Sequence, residues 1–475
     1  MSMKILTEEE YVRRAANADR VAVFKEFLSD RETPVAALSR LDDSEEAFLL
    51  ESVAGGETRG RYSYLGLEPC GRVEGESALE ELRARFSSLR YNPAPEIPSF
   101  QGGAVGYVSY DAVRIFEPRI RTKSAEGTPL MSFLVCDKFL VFDNVRGTVT
   151  IVVIADASKD GAYADAMAQI ERIYAKMLSA DSIARLAGAP KPRASRGPAS
   201  EFVSEMTRDE FCAMVAKCKE AIAAGEVIQI VPSQKFLARS SVSDLALYRA
   251  LRMINPSPYN FFMRLGGKTL IGSSPEELVK LDGRTASTAP IAGTRPRGKT
   301  AALDAELERE LKADEKENAE HVMLVDLGRN DLGRVCETGS VKVSGLAHVE
   351  RYSHVMHLVS NVSGTLDKEY DAFGLLKATF PAGTLSGAPK IRAMELLAEY
   401  EKSPRGVYGG AAGYFSLTGD MNFAIVIRTL LKEGDGIMMR AGAGIVADSD
   451  PEKEYEETVN KSKAVFEAVK FAEEL

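Results

Sequence analysis

The sequence contains no tryptophan, and its cysteines are few and show no CxxC spacing. Structural disulfides and zinc sites need paired or clustered cysteines. The scattered set therefore predicts reduced thiols, no zinc site and a cytoplasmic location. The five cysteines are Cys70, Cys136, Cys212, Cys218 and Cys336.

Long apolar runs and blocks of basic residues are also missing. Nowhere do about 18 apolar residues follow one another without interruption, so the sequence predicts no membrane-spanning helix. The first residues, MSMKILTEEEYVRRAA, lack the apolar core of a signal peptide. The formal net charge is −9, which argues against nucleic acid or an anionic membrane as a partner.

Strand-like segments follow one another through short turns instead of alternating regularly with helices. Examples lie at 103–110, 131–142 and 149–154. This order predicts an α+β fold built on large antiparallel sheets. Nearer the N-terminus, the residue pattern predicts a surface helix over 8–30 and a strand over 34–41.

Only one segment has the composition of a linker. Residues 189–200, APKPRASRGPAS, combine proline, glycine, serine and basic residues with little apolar content. The segment predicts a division into an N-terminal region, 1–188, and a C-terminal region, 201–475. With 475 residues, 45% apolar and 27% charged, the chain has the composition of a globular protein with two or three domains, or one large one.

The stretch 380–397, FPAGTLSGAPKIRAMELL, joins a glycine-rich turn to a helical pattern. Pro389 suits the first turn of a helix, and apolar side chains recur behind it at helical spacing. Backbone N–H groups at such a helix start, with Thr384 and Ser386 beside them, suit a carboxylate or phosphate. The alternative is an ordinary tight turn before a core helix, but the density of polar donors favours a binding site.

Two acidic pairs lie far apart in the sequence, Glu317 with Glu320 and Glu454 with Glu457. A spacing of three residues puts each pair on one face of a helix. Four carboxylates with retained waters would suit Mg²⁺, which prefers oxygen ligands. Each pair alone is also typical of a solvated helix face, so the metal site requires that the two helices meet.

Arg428 falls in NFAIVIRTLL, whose β-branched content predicts a strand. On such a strand it would share a face with Ala424 and Val426, where an unpaired charge would be costly. We therefore expect Arg428 to face a carboxylate, held bidentately. A structural ion pair and a bound ligand are equally consistent with the sequence.

Small residues mark further stretches where a ligand could approach the backbone. These are PIAGTRPRG with Gly293 and Thr294, the glycines after Tyr408, and the run 441–444. His357 lies in an apolar run, so it is either a packed residue or a proton-transfer group.

Six motifs, in order, resemble those of the chorismate-utilising enzymes. They are PIAGTRPRG, EHVMLVDLGRNDLGRV, RYSHVMHLVS, FPAGTLSGAPK, YGGAAGYF and AGAGIV…EYEET. The segments LLESV…GRYSYLG and NPSPYNFF narrow the resemblance to the anthranilate synthase component I family, over nearly the whole chain. It implies an α+β sandwich of large orthogonal antiparallel sheets with helices packed outside.

The resemblance also implies an activity: conversion of chorismate and ammonia to anthranilate and pyruvate, the first committed step of tryptophan biosynthesis. The chain has no glutaminase module, so ammonia would come from a separate glutamine amidotransferase subunit, component II. The alternative within the family is aminodeoxychorismate synthase component I. A non-catalytic tryptophan-binding regulator is a third reading, disfavoured because the carboxylates and Arg428 are all present.

Two positions separate this chain from its relatives. Isochorismate synthases resemble it but have a lysine that activates water where Gln229 stands, and Gln229 cannot act as a base. Aminodeoxychorismate synthases have a lysine in the PIxGT loop where this chain has Ala292. Both differences favour direct entry of ammonia and an anthranilate product.

The resemblance implies a role for each candidate residue. Glu276 would be the general acid, His357 would assist proton transfer, and Thr384 would line the ring of chorismate. The Mg²⁺ ligands would be Glu320 and Glu457, supported by Glu317 and Glu454. The remaining chorismate contacts would be Gly293, Thr294, Tyr408, Arg428, Gly442, Ala443 and Gly444.

A feedback site for L-tryptophan is also implied. Its residues would be Glu51, Ser52, Pro258, Tyr259 and Asn260. Asn260 departs from the family pattern, which commonly has methionine there, and a polar amide would weaken an indole pocket.

Overall fold

The computed structural model describes residues 3–41, 44–52, 60–123, 127–178, 200–351 and 355–474. Apart from Ser200, the predicted linker 189–200 lies outside the described residues. Among the described residues, no helix has the length and apolar character needed to cross a membrane.

The helices lie mostly on the outer faces of large sheets. Their bounds are α1 Glu8–Ala15, α2 Pro34–Leu41, α3 Ala78–Ser87, α4 Val113–Phe116, α5 Ala162–Leu178, α6 Arg208–Ala223, α7 Asp244–Ile254, α8 Ala301–Ala313, α9 Glu315–Gly333, α10 Ala372–Thr379, α11 Lys390–Tyr400 and α12 Pro451–Glu474.

Short turns connect many of the neighbouring strands. In chain order they are β1 Arg20–Leu28, β2 Ala47–Glu51, β3 Tyr62–Leu67, β4 Gly71–Glu74, β5 Tyr91–Asn92, β6 Gly103–Val108, β7 Met131–Cys136, β8 Lys138–Asp143, β9 Thr148–Asp156, β10 Val203–Ser204, β11 Gln229–Ile230, β12 Ser233–Arg239, β13 Tyr259–Leu265, β14 Lys268–Ser274, β15 Glu277–Asp282, β16 Thr285–Thr288, β17 Ile291–Pro296, β18 Lys342–Arg351, β19 Val355–Thr365, β20 Gly387–Ala388, β21 Ala411–Ser416, β22 Met421–Ile425, β23 Thr429–Glu433 and β24 Gly436–Gly442.

Two large sheets contain all of these strands except β11 and β20, which pair with each other. The larger has the order β10-β12-β24-β23-β14-β13-β2-β3-β8-β9-β1-β5, and the smaller has the order β17-β19-β16-β15-β22-β21-β6-β7-β4, with β18 paired to β19. Their pairing is antiparallel except between β1 and β5. The predicted α+β class with large antiparallel sheets is therefore confirmed. Both sheets contain strands from both sides of the predicted linker, so the division into 1–188 and 201–475 stays a prediction.

Aromatic side chains fill part of the space between the sheets. Phe100 makes edge-to-face contacts with Phe48, Tyr64 and Phe139 from the larger sheet and with Tyr414 from the smaller sheet. Such pairs contribute about 0.5–1.5 kcal/mol each beyond the apolar area that they bury. The contacts join the two sheets into one core.

Two secondary-structure predictions were wrong. The segment 8–30 is a helix only as far as Ala15, because the following run 20–28 pairs with β9 and is buried almost continuously. The segment 34–41 is a helix: Pro34 occupies its first turn, and Val35, Leu38 and Leu41 are buried at a spacing of three.

Candidate active site

A cavity of about 570 Å³ collects nearly all the residues singled out as catalytic, chorismate-binding or metal-binding. It is bounded by strands β11, β17, β19 and β24, helices α9 and α12, and the glycine-rich stretch before α11. The lining includes Gln229, Glu276, Gly293, Thr294, Glu317, Glu320, His357, Thr384, Tyr408, Arg428, Gly442, Gly444, Glu454 and Glu457. Ala443 is the exception among them: it is fully buried in a neighbouring apolar cluster.

Glu276 is a carboxylic acid suited to donating a proton near neutral pH. It lies between β14 and β15 and is only partly exposed. Desolvation raises its pKa to about 7, although the Thr384 hydroxyl and the charge of Arg428 act in the opposite direction. Thr384 Oγ1 donates a hydrogen bond of 2.8 Å to Glu276 Oε1. A general acid works best with a pKa close to the operating pH.

Arg428 lies at the point where the chain leaves the smaller sheet at β22 and enters the larger sheet at β23. Its φ of 50° is outside the strand region, so the prediction of a continuous strand was wrong. Its guanidinium donates a hydrogen bond of 3.4 Å to Asn255 Oδ1. Among the described residues, no carboxylate lies within ion-pair distance of it, and burial lowers its pKa. A buried cation facing a cavity in this way suits a ligand carboxylate.

Tyr408 Oη lies close to the backbone of Gly442. A Cβ atom added to Gly442 would lie 2.8 Å from Tyr408 Oη and 2.7 Å from Pro232 O. Only glycine therefore fits between these groups, and the Tyr408 hydroxyl packs directly against the backbone at this point. Burial raises the pKa of Tyr408 to about 12, so its hydroxyl remains a hydrogen-bond donor.

The four glutamates of the two acidic pairs line the same cavity. Three of them contact cationic or amide groups of the protein: Arg295 lies 3.2 Å from Glu317, Gln229 Nε2 donates to Glu320 over 3.1 Å, and Lys461 lies 2.6 Å from Glu457. Burial, followed by the charge of the paired glutamate, raises the pKa of Glu317 and of Glu454.

The four carboxylates line one cavity, but they are not arranged as a complete metal-coordination site. Among the described residues, no group of three or more histidine, cysteine, aspartate or glutamate side chains is arranged to hold a metal ion. The donor set nevertheless has the chemistry that a hard divalent cation prefers, because carboxylate groups from α9 and α12 line the same cavity.

His357 on β19 is held in a defined orientation. Its Nδ1 lies 2.9 Å from the carbonyl oxygen of Gly293 and 3.0 Å from Thr294 Oγ1. Because a carbonyl group only accepts, Nδ1 carries the proton. Burial lowers the pKa of His357, which favours the neutral imidazole that can accept a proton.

The residues assigned to tryptophan binding do not line this cavity. They lie at the pairing of β2 with β13, in which Glu51 stands opposite Asn260. The Glu51 carboxylate is buried and accepts hydrogen bonds from Tyr248 Oη at 2.5 Å and Arg252 Nη2 at 3.3 Å. Burial raises the pKa of Glu51. Tyr259 Oη donates to Glu277 Oε2 over 2.6 Å. The structure thus brings Glu51 and Ser52 next to the segment 258–260.

The sequence analysis did not identify several residues that contact the cavity or the region assigned to tryptophan. Lys461 lies four residues after Glu457 on one helix face, a spacing that could have indicated it. Arg295 follows directly after Thr294 in the PIAGTRPRG motif. Asn255, Tyr248 and Arg252 have no local signal, because their partners come from distant strands.

Comparisons with known proteins show which family the chain belongs to. A family model described as chorismate binding enzyme matches residues 45–467. Anthranilate synthase component 1 from Pseudomonas aeruginosa is 42% identical over 502 residues, covering 99% of this chain and 99% of that protein. The protein of the same name from Streptomyces coelicolor is 46% identical over 467 residues, covering 97% and 91%.

Solved structures of related enzymes have a similar fold. Anthranilate synthase component I from Streptococcus pneumoniae superposes with a TM-score of 0.73 at 35% identity, covering 93% of this chain and 99% of that one. The menaquinone-specific isochorismate synthase from Escherichia coli shares the fold, with a TM-score of 0.72 at 21% identity over 97% and 98%. The chain belongs to the family of chorismate-binding enzymes.

Proposed function

We propose that this chain is the chorismate-converting subunit of an anthranilate synthase. The proposal rests on one observation: three functional groups line the same cavity. They are the carboxyl group of Glu276, whose pKa is about 7, the guanidinium of Arg428 and the amide of Gln229. The relatives named anthranilate synthase component 1 support it. The overall reaction joins chorismate and ammonia and yields anthranilate, pyruvate and water.

Binding of chorismate requires partners for two carboxylates. Arg428 and Tyr408 take the enolpyruvyl carboxylate, with backbone contacts from 442–444, while Gly293, Thr294 and Thr384 line the ring. Glu320 and Glu457, with Glu317 and Glu454, would hold Mg²⁺. Mg²⁺ bound there supplies positive charge that balances the ring carboxylate.

Gln229 supports ammonia as the nucleophile. Its Nε2 donates to Glu320, while its Oε1 is buried and has no hydrogen-bond partner among the described residues. An acceptor without a donor is costly in a buried place, and an N–H of ammonia would satisfy it. Ala292 offers no amine, so no covalent attack comes from that loop.

The reaction needs the cleavage of two C–O bonds and the proton transfers that accompany them. Ammonia forms a bond to the ring carbon beside the ring carboxylate while the ring double bonds shift and the bond to the ring hydroxyl breaks; Glu276 protonates that hydroxyl, which leaves as water. The ammonium group formed on the ring loses a proton to solvent. The bond between the ring and the enolpyruvyl oxygen then breaks, and the released enolpyruvate takes up a proton to become pyruvate. The ring carbon that holds the nitrogen loses its proton, which makes the ring aromatic. His357, as a neutral imidazole, assists in accepting that proton.

The proposal includes a partner and a regulator. Ammonia comes from a glutamine amidotransferase subunit, component II, which the name component 1 of the relatives supports. L-tryptophan binds at Glu51–Ser52 and 258–260 and inhibits the enzyme, which acts in the cytoplasm.

The test is product analysis. The purified chain is incubated with chorismate, MgCl₂ and an ammonium salt, and anthranilate is followed by its fluorescence together with pyruvate. Formation of both supports the proposal. A stable amino-dienoate without pyruvate would instead assign aminodeoxychorismate synthesis, and isochorismate would assign addition of water.

A further inference from the structure

Arg405, three residues before Tyr408, is a buried cation to which the proposed reaction assigns no role. Only 2% of this residue is exposed. Its guanidinium donates two hydrogen bonds to the Glu401 carboxylate, from Nε to Oε2 and from Nη2 to Oε1, each over 2.8 Å. Burial acts to raise the pKa of the Glu401 carboxyl, but the charge of Arg405 and the donors around it lower that pKa overall. The two residues therefore form a buried ion pair.

The guanidinium of Arg405 also contacts two backbone segments that line the cavity. Nη1 donates to the carbonyl oxygen of Leu385 over 2.5 Å, and Nη2 donates to the carbonyl oxygen of Val231 over 2.6 Å. Leu385 directly follows Thr384 in the glycine-rich stretch. Val231 lies two residues after Gln229. One guanidinium thus connects the two segments that place Thr384 and Gln229 in the cavity.

These two segments also pair with each other through their backbones. β11 and β20 form a separate two-stranded sheet with two residues in each strand. Next to it, the backbone N–H of Val231 donates to the carbonyl oxygen of Ser386 over 3.0 Å. A Cβ atom added to Gly387 would lie 2.2 Å from Gln229 O, so the two backbones are closely spaced. A sheet of this size is marginal on its own, and the hydrogen bonds of Arg405 supply further contacts at its end.

The N-terminal part of the chain packs against the same guanidinium. Arg405 Cζ lies 4.3 Å from the centroid of the Tyr110 ring and 5.8 Å from that of the Tyr408 ring, within the range of cation–π contacts. Asp111 Oδ2 accepts from the backbone N–H of Gly406 over 2.8 Å. Because Tyr408 lines the cavity, Arg405 contacts both a ring of the active site and the turn between β6 and α4.

We propose that Arg405 is a positioning residue of the active site, which fixes the segment of Thr384 relative to the segment of Gln229. The proposal rests on the proposed function, which assigns Glu276 as the acid and Gln229 to ammonia. Thr384 donates to Glu276 over 2.8 Å, so a shift of Leu385 moves this hydroxyl relative to the acid. Arg405 acts only through the two carbonyl groups, and its effect is the alignment of acid and nucleophile at the ring of chorismate.

The first test is Arg405→Lys, which keeps a positive charge beside Glu401. A single ammonium lacks the planar fork that reaches the carboxylate and both carbonyl groups together. The kcat for anthranilate formation should fall between about tenfold and a hundredfold, the effect of misplacing reacting groups, with a much smaller change in KM for chorismate because Arg428 is unchanged. A parental kcat would overturn the proposal.

The matched control is Arg40→Lys. Arg40 is also a buried arginine, with 9% of the residue exposed, and it lies outside the cavity. It forms an ion pair with Glu32 and donates to the carbonyl oxygen of Met177 over 3.1 Å. Arg40→Lys should lower the unfolding temperature and leave kcat and KM unchanged. An equal loss of kcat in both variants would assign the effect of Arg405→Lys to stability alone.

The pH profile gives a readout that a loss of stability would not move. In Arg405→Lys the hydrogen bond from Thr384 weakens, so the pKa of Glu276 rises and the alkaline limb of kcat/KM moves to higher pH. In the Thr384→Val background, Arg405→Lys should cause no further shift, because both changes act through the same hydrogen bond. The charged groups that act on Glu276, Arg428 and Lys461, are present in all of these enzymes. An unmoved midpoint in Arg405→Lys, or additive shifts, would overturn the proposal.

A second pair of variants tests the same role without changing a charge. Tyr110→Leu removes the ring beside the Arg405 guanidinium. Tyr110→Phe keeps the ring and removes only a hydroxyl that has no hydrogen-bond partner among the described residues. Tyr110→Leu should lower kcat at least about threefold and shift the pH profile in the same direction, whereas Tyr110→Phe should behave as the parent. Parental kinetics in Tyr110→Leu would contradict the proposal, even if Arg405→Lys does not fold.

The product separates this proposal from the proposed function. All rates refer to the product that the parent enzyme forms from chorismate, ammonium salt and MgCl₂. If that product is not anthranilate, the proposed function is wrong, and the comparison of Arg405→Lys with Arg40→Lys on the observed product still decides the positioning role. If anthranilate forms and the two variants do not differ, the proposed function stands and the role of Arg405 is wrong.

Discussion

Thr384 Oγ1 lies 2.8 Å from Glu276 Oε1 and donates a hydrogen bond to it. This contact joins the glycine-rich stretch before α11 to the carboxyl group that protonates the leaving hydroxyl in the proposed reaction. A hydrogen bond to a carboxylate favours its charged form, so Thr384 lowers the pKa that desolvation raises. The hydroxyl therefore tunes the acid as well as lining the cavity.

Thr384→Val should move the pH profile of kcat/KM to higher pH. Without the hydroxyl donor, the pKa of Glu276 rises further above its ordinary value, by up to about one unit for one hydrogen bond. Glu276 then stays protonated to a higher pH, and the alkaline limb shifts upward. Initial rates between pH 5.5 and about 9 measure this; a midpoint that stays in place or falls would contradict the role of Thr384.

The parent enzyme should lose kcat/KM as pH rises through about 7, because the general acid must be protonated to act and its pKa is about 7. Glu276→Gln cannot donate a proton in this way and should lose at least about a hundredfold in kcat. Glu337→Gln, which changes an exposed carboxylate outside the cavity, is the control. An active Glu276→Gln enzyme with the parental pH profile would assign the acid to another residue.

Local patterns predicted that the two acidic pairs lie on helices. The spacing of Glu317 with Glu320 and of Glu454 with Glu457 requires only helical periodicity, and both pairs lie on helices that line the cavity. The strand predicted at Arg428 rests on the residue pattern of one continuous segment, NFAIVIRTLL. The change from one sheet to the other at that residue is a tertiary feature, and no local pattern shows it.

The contacts of Glu51 illustrate the same limit. The resemblance assigns Glu51 to an amino-acid ligand, and it gives no sign that Tyr248 and Arg252 contact the Glu51 oxygens from a helix about two hundred residues further along the chain. The helix α2 was missed for another reason: a short apolar run such as PVAALSRL fits a buried strand and a buried helix equally well until packing decides.

Glu320→Gln and Glu457→Gln should each abolish turnover at millimolar Mg²⁺. Each substitution removes a charged oxygen from a site that needs negative charge to hold a divalent cation. Glu456→Gln on the same helix, an exposed position beside Glu457, is the matched control. Rates measured across a Mg²⁺ titration check this, and full activity with an unchanged metal requirement would remove the substituted residue from the metal site.

Gln229→Lys should reduce formation of anthranilate and allow a product of water addition. The lysine replaces a neutral acceptor by an amine that activates water, and it also contacts Glu320, which now accepts from Gln229 Nε2. Chromatography of the products from chorismate and ammonium salt measures both outcomes. Parental rates of anthranilate formation would show that Gln229 Oε1 does not bind the nucleophile.

Ser52→Phe should relieve inhibition by tryptophan. Ser52 directly follows β2, where Glu51 stands opposite Asn260, so a bulky aromatic side chain would fill the space that an amino-acid ligand needs. We expect the tryptophan concentration for half inhibition to rise at least tenfold, about 1.4 kcal/mol of binding free energy. Ser158→Phe, on an exposed turn of the N-terminal region, controls for the added aromatic ring. Initial rates against tryptophan concentration in the parent and both variants provide the comparison. A Ser52→Phe enzyme as sensitive as the parent would place the tryptophan site elsewhere, whatever the cavity at Arg428 binds.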